Sequence, residues 1–245
     1  MKKNLLLLVS LLTSLMPIKA QDFVTKEVTK KNVLVEEFTG KECQFCPLGH
    51  MEVKSIEEAY PGRVWSVNIH DKWFSSNTYP NLKVPASDTL SDYFGPQQYP
   101  TAVVNRQQTS APISYTLWRA AVDEEIRKTA ECNIAGQVAI NPITRIATVT
   151  VEAYYTASSG SDVNYLNVYM LQDSILGNQT AGTSNPDQMI GDQYCHMHIM
   201  RGNVTPIWGD AINTTEGTLI TKTYEYEIPE VIGNPNGVEA VLEDL

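Results

Sequence analysis

Cys43-Gln44-Phe45-Cys46, followed at once by Pro47, is the stretch of this 245-residue chain whose residue types and spacing can do chemistry. Cysteines two residues apart can bond to each other or exchange a disulfide with another thiol, provided one is held as a thiolate. A helix beginning at the second cysteine favours that, because its unpaired N–H groups and positive dipole end stabilise a negative sulfur nearby. Pro47 suits the first turn, where its missing N–H has no partner to lose. Glu42, next to Cys43, works the other way through like charge. A structural disulfide on a binding domain is the other reading of the pair. Cys43, Cys46 and His50 have ligand-like spacing, yet a fourth ligand is not evident, so no metal is expected. Pro47 stands where attachment of a c-type haem needs a histidine, and no other cofactor is implied.

The elements that must position this motif alternate in type. Val33-Leu34-Val35-Glu36-Glu37-Phe38 reads as a short strand ended by Thr39-Gly40, and Pro47 to Tyr60 as a helix stopped by Pro61-Gly62. Val64–Ile69 is a second strand, with His70 at its end as an ordinary loop histidine. Residues 71–98 form an insertion with a short helix at Asp88–Phe94, and Thr101–Asn105 is a third strand. Ile113 to Thr129 reads as an amphipathic helix with Leu117, Trp118, Ala121, Val122 and Ile126 inward. Strand, helix, strand, helix implies α/β architecture with a partly parallel sheet.

After residue 131 the period of the apolar residues falls from 3.6 to 2. Cys132, Ile134, Val138 and Ile140 share one face, and Ala147, Val149, Val151 and Ala153 another; Cys195, Met197 and Ile199 read as one further strand. That alternation predicts an all-β antiparallel sandwich, interrupted by a long polar loop at 173–193. Cys132 and Cys195 both point to the expected core, where they either form a second disulfide or remain buried thiols. His196 and His198 fall on the opposite face, where they could share a ligand; a solvated face is the alternative.

Met1-Lys2-Lys3, the apolar run Leu5–Leu12 and Ile18-Lys19-Ala20 predict a secretory signal peptide over 1–20, too short to span a bilayer. The domains expected are then 21–131 and 132–245, with no closing strand evident at Val238–Leu245. With 18 Lys and Arg against 28 Asp and Glu, the chain has a net charge of −10, which argues against nucleic acid as a partner.

Strand, Glu37-Phe38, then Cys-x-x-Cys resemble the active-site strand and helix of the thioredoxin fold over about residues 33–131. The resemblance implies that Glu37 is the buried acid that exchanges a proton with Cys46. It also makes Tyr99-Pro100-Thr101 the cis-proline loop that binds extended substrate. The wider pattern of signal peptide, Glu36-Glu37-Phe38-Thr39-Gly40, the cysteine motif and a β-rich second half with His196, His198 and Arg201 resembles the Bacteroidetes outer-membrane protein of twenty-eight kilodaltons. The resemblance implies an exported protein, periplasmic or peripherally associated with the outer membrane. The cysteine motif adds an expected activity, thiol–disulfide exchange with disulfide-containing or unfolded envelope proteins, in either redox direction; a reducing version would need an electron donor in the inner membrane. A non-catalytic binding or adhesin-type protein is the alternative.

Overall fold

The computed structural model describes residues 22–78, 80–107 and 112–230; the expected signal peptide and the Val238–Leu245 end lie outside them. The first half runs β1 (Val33–Thr39), α1 (Cys46–Ala59), β2 (Val64–His70), α2 (Pro85–Phe94) and β3 (Thr101–Val104). It continues with β4 (Ile113–Ser114), a 3-10 turn (Tyr115–Leu117) and α3 (Trp118–Glu125). β1 pairs in parallel with β2 and antiparallel with β3. Because side chains alternate along a strand, Val33 and Val35 face one way and Phe38 the other. Val33 and Val35 join Val53 and Ile56 of α1 and Trp118 and Val122 of α3 in one core. Phe38, Val67 and Ile69 join Ala86 and Leu90 of α2 in a second. A sheet covered on both faces explains why its strands read as nearly continuous apolar runs.

The amphipathic stretch after Ile113 is shorter as a helix than its pattern predicts. Ile113 and Ser114 pair with β3 instead, and Leu117 is exposed in the 3-10 turn. Trp118, Val122 and Ile126 are buried as the stripe requires.

The second half contains β5 (Cys132–Asn141), β6 (Ile146–Tyr155), β7 (Val163–Leu166), β8 (Tyr169–Gln172) and β9 (Ile175–Gly177). Then come β10 (Met189–Ile190), β11 (Gln193–His196), β12 (Ile199–Asn203), β13 (Asp210–Asn213) and β14 (Leu219–Glu227). The fold is therefore mixed α/β, with one mixed sheet and several antiparallel ones. Among the described residues the mixed sheet has six strands, in the order β4-β3-β1-β2-β12-β8.

That order means the change of period near residue 131 does not divide the sheets. β12 lies parallel to β2, joined where Asn68 N–H donates to the His198 carbonyl (2.8 Å) and the Asn68 amide donates to that of Met197 (2.8 Å). Met200 of β12 completes the core around Phe38. Cys195, Met197 and Ile199 are accordingly not one strand: the chain leaves the β9–β10–β11 sheet after His196, turns at His198 (φ 54°) and enters the mixed sheet at Ile199. The polar stretch 173–193 is not a bare loop either, since it holds β9, two 3-10 turns and β10.

The remaining strands form a small two-layer unit. β5, β6 and β14 make one sheet, and β7 with β13 a ribbon. Val149, Val151, Ala153 and Tyr155 meet Leu166 and Ile212 between them. The apolar face of β5 extends past this core, so Ile134 and Val138, expected inside, are each 61% exposed.

Because β12 and β8 complete the first sheet, the two halves are expected to unfold together. Urea denaturation followed by tryptophan fluorescence and by circular dichroism should give coincident transitions. Met200→Ala should cost about 2–5 kcal/mol. A fragment of residues 21–131 with a cooperative transition of its own would contradict this.

Candidate functional site

β1 ends at Thr39 and the chain turns through Gly40 before α1 begins at Cys46. The turn is tight, with Cys43 N–H donating to the Gly40 carbonyl (3.0 Å) and Glu42 N–H to that of Phe74 (3.0 Å). A Cβ on Gly40 would come within 2.2 Å of the Phe74 oxygen, so only glycine fits. Cys43 and Cys46 are bonded to each other. The Cys46 N–H points at the Cys43 sulfur at 3.1 Å, so reduction would leave a donor aimed at that atom. Glu42 does not crowd it: its carboxylate is exposed and takes the Ser76 N–H (2.8 Å) and hydroxyl.

Both sulfurs are covered. Cys43 is 2% exposed and Cys46 fully buried. The cover comes from the second half of the chain: the Gln179 amide donates to the carbonyls of Gly40 (3.2 Å) and Cys43 (3.0 Å), and Thr180 N–H to that of Lys41 (2.7 Å). Lys41 is itself buried, its ammonium held by the carbonyls of Thr78 (2.5 Å) and Pro80 (3.0 Å), and burial lowers its pKa. Around this covered centre Phe45, Trp73, Phe74 and Met51 are exposed.

Beneath the motif lies Glu37, which alternation places on the α1 side of β1 with Val33 and Val35. It is fully buried, and neither carboxylate oxygen makes a well-formed hydrogen bond, although the nearby Thr39 hydroxyl favours its ionised form. Burial raises its pKa well above the usual carboxylate value, which favours the protonated form. A Cβ on Gly49 would come within 3.0 Å of Glu37 Oε1 and 2.7 Å of Pro100 Cγ, so strand, helix and proline loop converge there. The Tyr99–Pro100 bond is cis. The Tyr99 hydroxyl donates to Asp71 and its ring packs on Phe74 (4.8 Å), while the Thr101 hydroxyl donates to the Ile113 carbonyl (2.7 Å).

His50, one helical turn beyond Cys46, has Nε2 3.5 Å from Glu37 Oε1 and 3.1 Å from the Thr39 hydroxyl. Its Nδ1 is 2.7 Å from the Tyr194 hydroxyl of β11. Burial, with His196 and His198 adding to it, pushes the pKa of His50 down to about 3. Burial also pushes His196 down to about 4 and His70 well below its ordinary value. These two rings meet edge-on at 5.6 Å, with His70 Nδ1 on the Ser75 hydroxyl and His196 Nε2 on the Asn178 carbonyl.

Several expectations are corrected here. His196 and His198 share no ligand face: His196 is buried beside His70, whereas His198 is half-exposed between Glu57 (3.7 Å) and Asp173 (3.2 Å). Cys132 and Cys195 are both free thiols, because β5 and β11 belong to different sheets. Burial raises both their pKa values, Cys132 to about 11. His70 is a buried strand-end group rather than a loop histidine. Gln179, Thr180 and Tyr194 escaped the sequence reading altogether, because nothing in a Gly/Asn/Ser/Thr-rich stretch announces that it will lie over a disulfide 130 or more residues earlier.

The family model for outer membrane protein Omp28 matches residues 87–242. The chain belongs to the Omp28 family. It is accordingly an exported, outer-membrane-associated protein. The match begins beyond Cys46, so it speaks for the second half of this Omp28-family chain more than for the cysteine motif. Among solved structures it is similar to HBP35 of Porphyromonas gingivalis, with TM-score 0.66 and 22% identity over 81% of this chain and 65% of that one. This chain thus spans less than two thirds of that protein. It is also similar in fold to protein AGR_C_4864 from Agrobacterium tumefaciens, with TM-score 0.50 and 12% identity over 80% of this chain and 79% of that one. No curated protein matches it.

The buried groups of this family member set its acid behaviour. His50, His70 and His196 are neutral when folded and charge near pH 6.5 when unfolded, so their stabilisation is complete above that pH and is lost below it. Each contributes a slope of up to about 1.4 kcal/mol per pH unit. Glu37, with its raised pKa, acts oppositely: its stabilisation is present at low pH and lost as pH rises. Three groups outweigh one, so stability against urea should fall between pH 7 and 5. His50→Gln should flatten that fall and Glu37→Gln should steepen it.

Proposed function

We propose that this chain is an exported thioredoxin-like thiol–disulfide oxidoreductase acting on envelope proteins through Cys43 and Cys46. The observation that carries the reading is Glu37. A buried carboxyl group without a hydrogen-bond partner costs roughly 1–3 kcal/mol or more, and a purely structural disulfide has no use for one held against the helix that bears it.

In the reduced form, the Cys43 thiolate faces the Cys46 N–H and the N-terminus of α1 and attacks one sulfur of a substrate disulfide. A Cys43–substrate bond forms and the other substrate sulfur leaves with the electron pair. The Cys46 thiol then gives its proton to Glu37 and attacks Cys43, closing the Cys43–Cys46 bond and releasing the second substrate thiolate, which takes a proton. Two electrons have passed to the substrate, and a dithiol carrier must return them. On that return Cys46 leaves as a thiolate and Glu37, whose burial favours the protonated form, supplies its proton. Tyr99 and Pro100 would align an extended substrate segment, and the exposed Phe45, Trp73 and Phe74 would hold apolar side chains of an unfolded one.

Cys43 can act only after Gln179 and Thr180 move aside, and that cover favours a second reading, an envelope binding protein with an inert disulfide. The two differ in measurable ways. Exchange with a glutathione buffer should give a reduction potential above about −300 mV, where structural disulfides lie below. Cys43→Ser should abolish reduction of a model protein disulfide. Gln179→Ala, which removes two hydrogen bonds from the cover, should speed thiol attack about tenfold. A more reducing potential, with thiols inert to alkylation at neutral pH, would establish the scaffold reading instead.

A further inference from the structure

The side chains under the disulfide form a hydrogen-bonded chain whose direction can be read from its outer end. Gln188 Nε2 donates to the Cys195 carbonyl (3.3 Å), which fixes the amide so that Oε1 faces the Tyr194 hydroxyl at 2.5 Å. Oε1 can only accept, so Tyr194 must donate to it. Asn185 Nδ2 also donates to the Tyr194 oxygen, at 3.0 Å. With its proton committed to Gln188, the Tyr194 oxygen can meet His50 Nδ1, 2.7 Å away, only as an acceptor. His50 must therefore carry its proton on Nδ1. A neutral imidazole has one proton, so Nε2 is a lone pair, and it faces the Thr39 hydroxyl (3.1 Å) and Glu37 Oε1 (3.5 Å).

We propose that Tyr194, with Gln188 behind it, is a positioning residue that fixes His50 as the Nδ1–H tautomer and thereby holds the proton of Glu37 beneath Cys46. It acts through His50 and never touches the sulfurs. A lone pair facing the carboxyl group favours its protonated form and repels the carboxylate, which makes Glu37 the stronger base when Cys46 has a proton to give. The opposite tautomer would present an N–H and stabilise the carboxylate instead. The other charged or titratable groups that bear on this centre are Glu57 on α1, which also disfavours the carboxylate, and His196 and His198 from beyond α1, which add to the burial that disfavours a charge on His50. The second half of the chain thus sets the proton affinity of an acid supplied by the first. The inference deepens the proposed disulfide exchange, but its physical content can be read without turnover.

Nitrogen-15 and carbon-13 magnetic resonance on the oxidised full chain tests it, with the His50 signals assigned by their loss in His50→Gln. Wild-type His50 should show a protonated Nδ1 and a bare Nε2 at pH 7. In Tyr194→Phe and Gln188→Met the tautomer is released, and the titration midpoint of the Glu37 carboxyl carbon should fall by about one pH unit or more. A protonated Nε2 in the wild type, or a Glu37 midpoint unmoved in both variants, overturns the proposal, and a merely structural role for Tyr194 predicts the latter. The wild-type tautomer needs no variant to fold. Neither readout depends on Cys43 attacking anything, so a failure here is distinct from a failure of the redox reading.

Discussion

Where β2 meets β12, Asn68 spends both its main-chain and its side-chain N–H groups on the turn at Met197 and His198. A buried strand edge must satisfy its hydrogen-bonding groups, and here it does so with residues 129 positions away. From that junction the rest of the second half takes its place. β12 brings Met200 under Phe38, β8 adds the outermost strand, and β11, leading into the junction, delivers Tyr194 and His196 to the underside of α1. The segment between β9 and β10 is thereby carried over Cys43. The centre is built by two stretches of chain that neither composition nor period would assign to one unit.

Polarity inside this centre is concentrated, and most of it is neutral. Burial favours the neutral form of Glu37 and of His50, His70 and His196 alike, because it penalises their ions. Contrast Glu36, one residue earlier and on the opposite face of β1, which accepts from the fork of Arg106 at 2.6 and 2.7 Å, with Tyr169 bonded to the same guanidinium. Adjacent glutamates in one strand thus meet contrasting surroundings, because alternation sends one to an arginine and the other to a helix without a cation. Arg106 ties the turn after β3 to β1 through Glu36 and to β8 through Tyr169. Glu37 has no such cation beside it, only the His50 ring 3.5 Å away.

Legibility in the sequence followed signal length. Seven-residue β1 and β2, and fourteen-residue α1 with its proline start and Pro61-Gly62 stop, show several periods each and are where the pattern puts them. Glu37 could be aimed by counting in twos from Val33 and Val35. β9 and β10, of three and two residues, carry too few positions for any period to emerge. The break between β11 and β12 was hidden for a different reason. His198 takes the left-handed conformation that glycine usually marks, so Cys195, Met197 and Ile199 alternate smoothly through a corner. The pairing of Cys132 with Cys195 failed with it, since the strands that carry them lie in different sheets. The exposed Ile134 and Val138 show the same limit: alternation identifies an apolar face but not whether the opposing layer is wide enough to cover it.

The separation of the cover from what it covers has a temporal side. Residues 40–46 leave any export channel well before residues 178–180, and the entropy of closing so long a loop delays the contacts between them until most of the chain is out. Throughout that interval the two thiols stand open to whatever oxidant the compartment offers. A bond closed in that interval is sealed afterwards by residues 178–180, so the order in which the chain emerges gives oxidation its opening before the cover arrives.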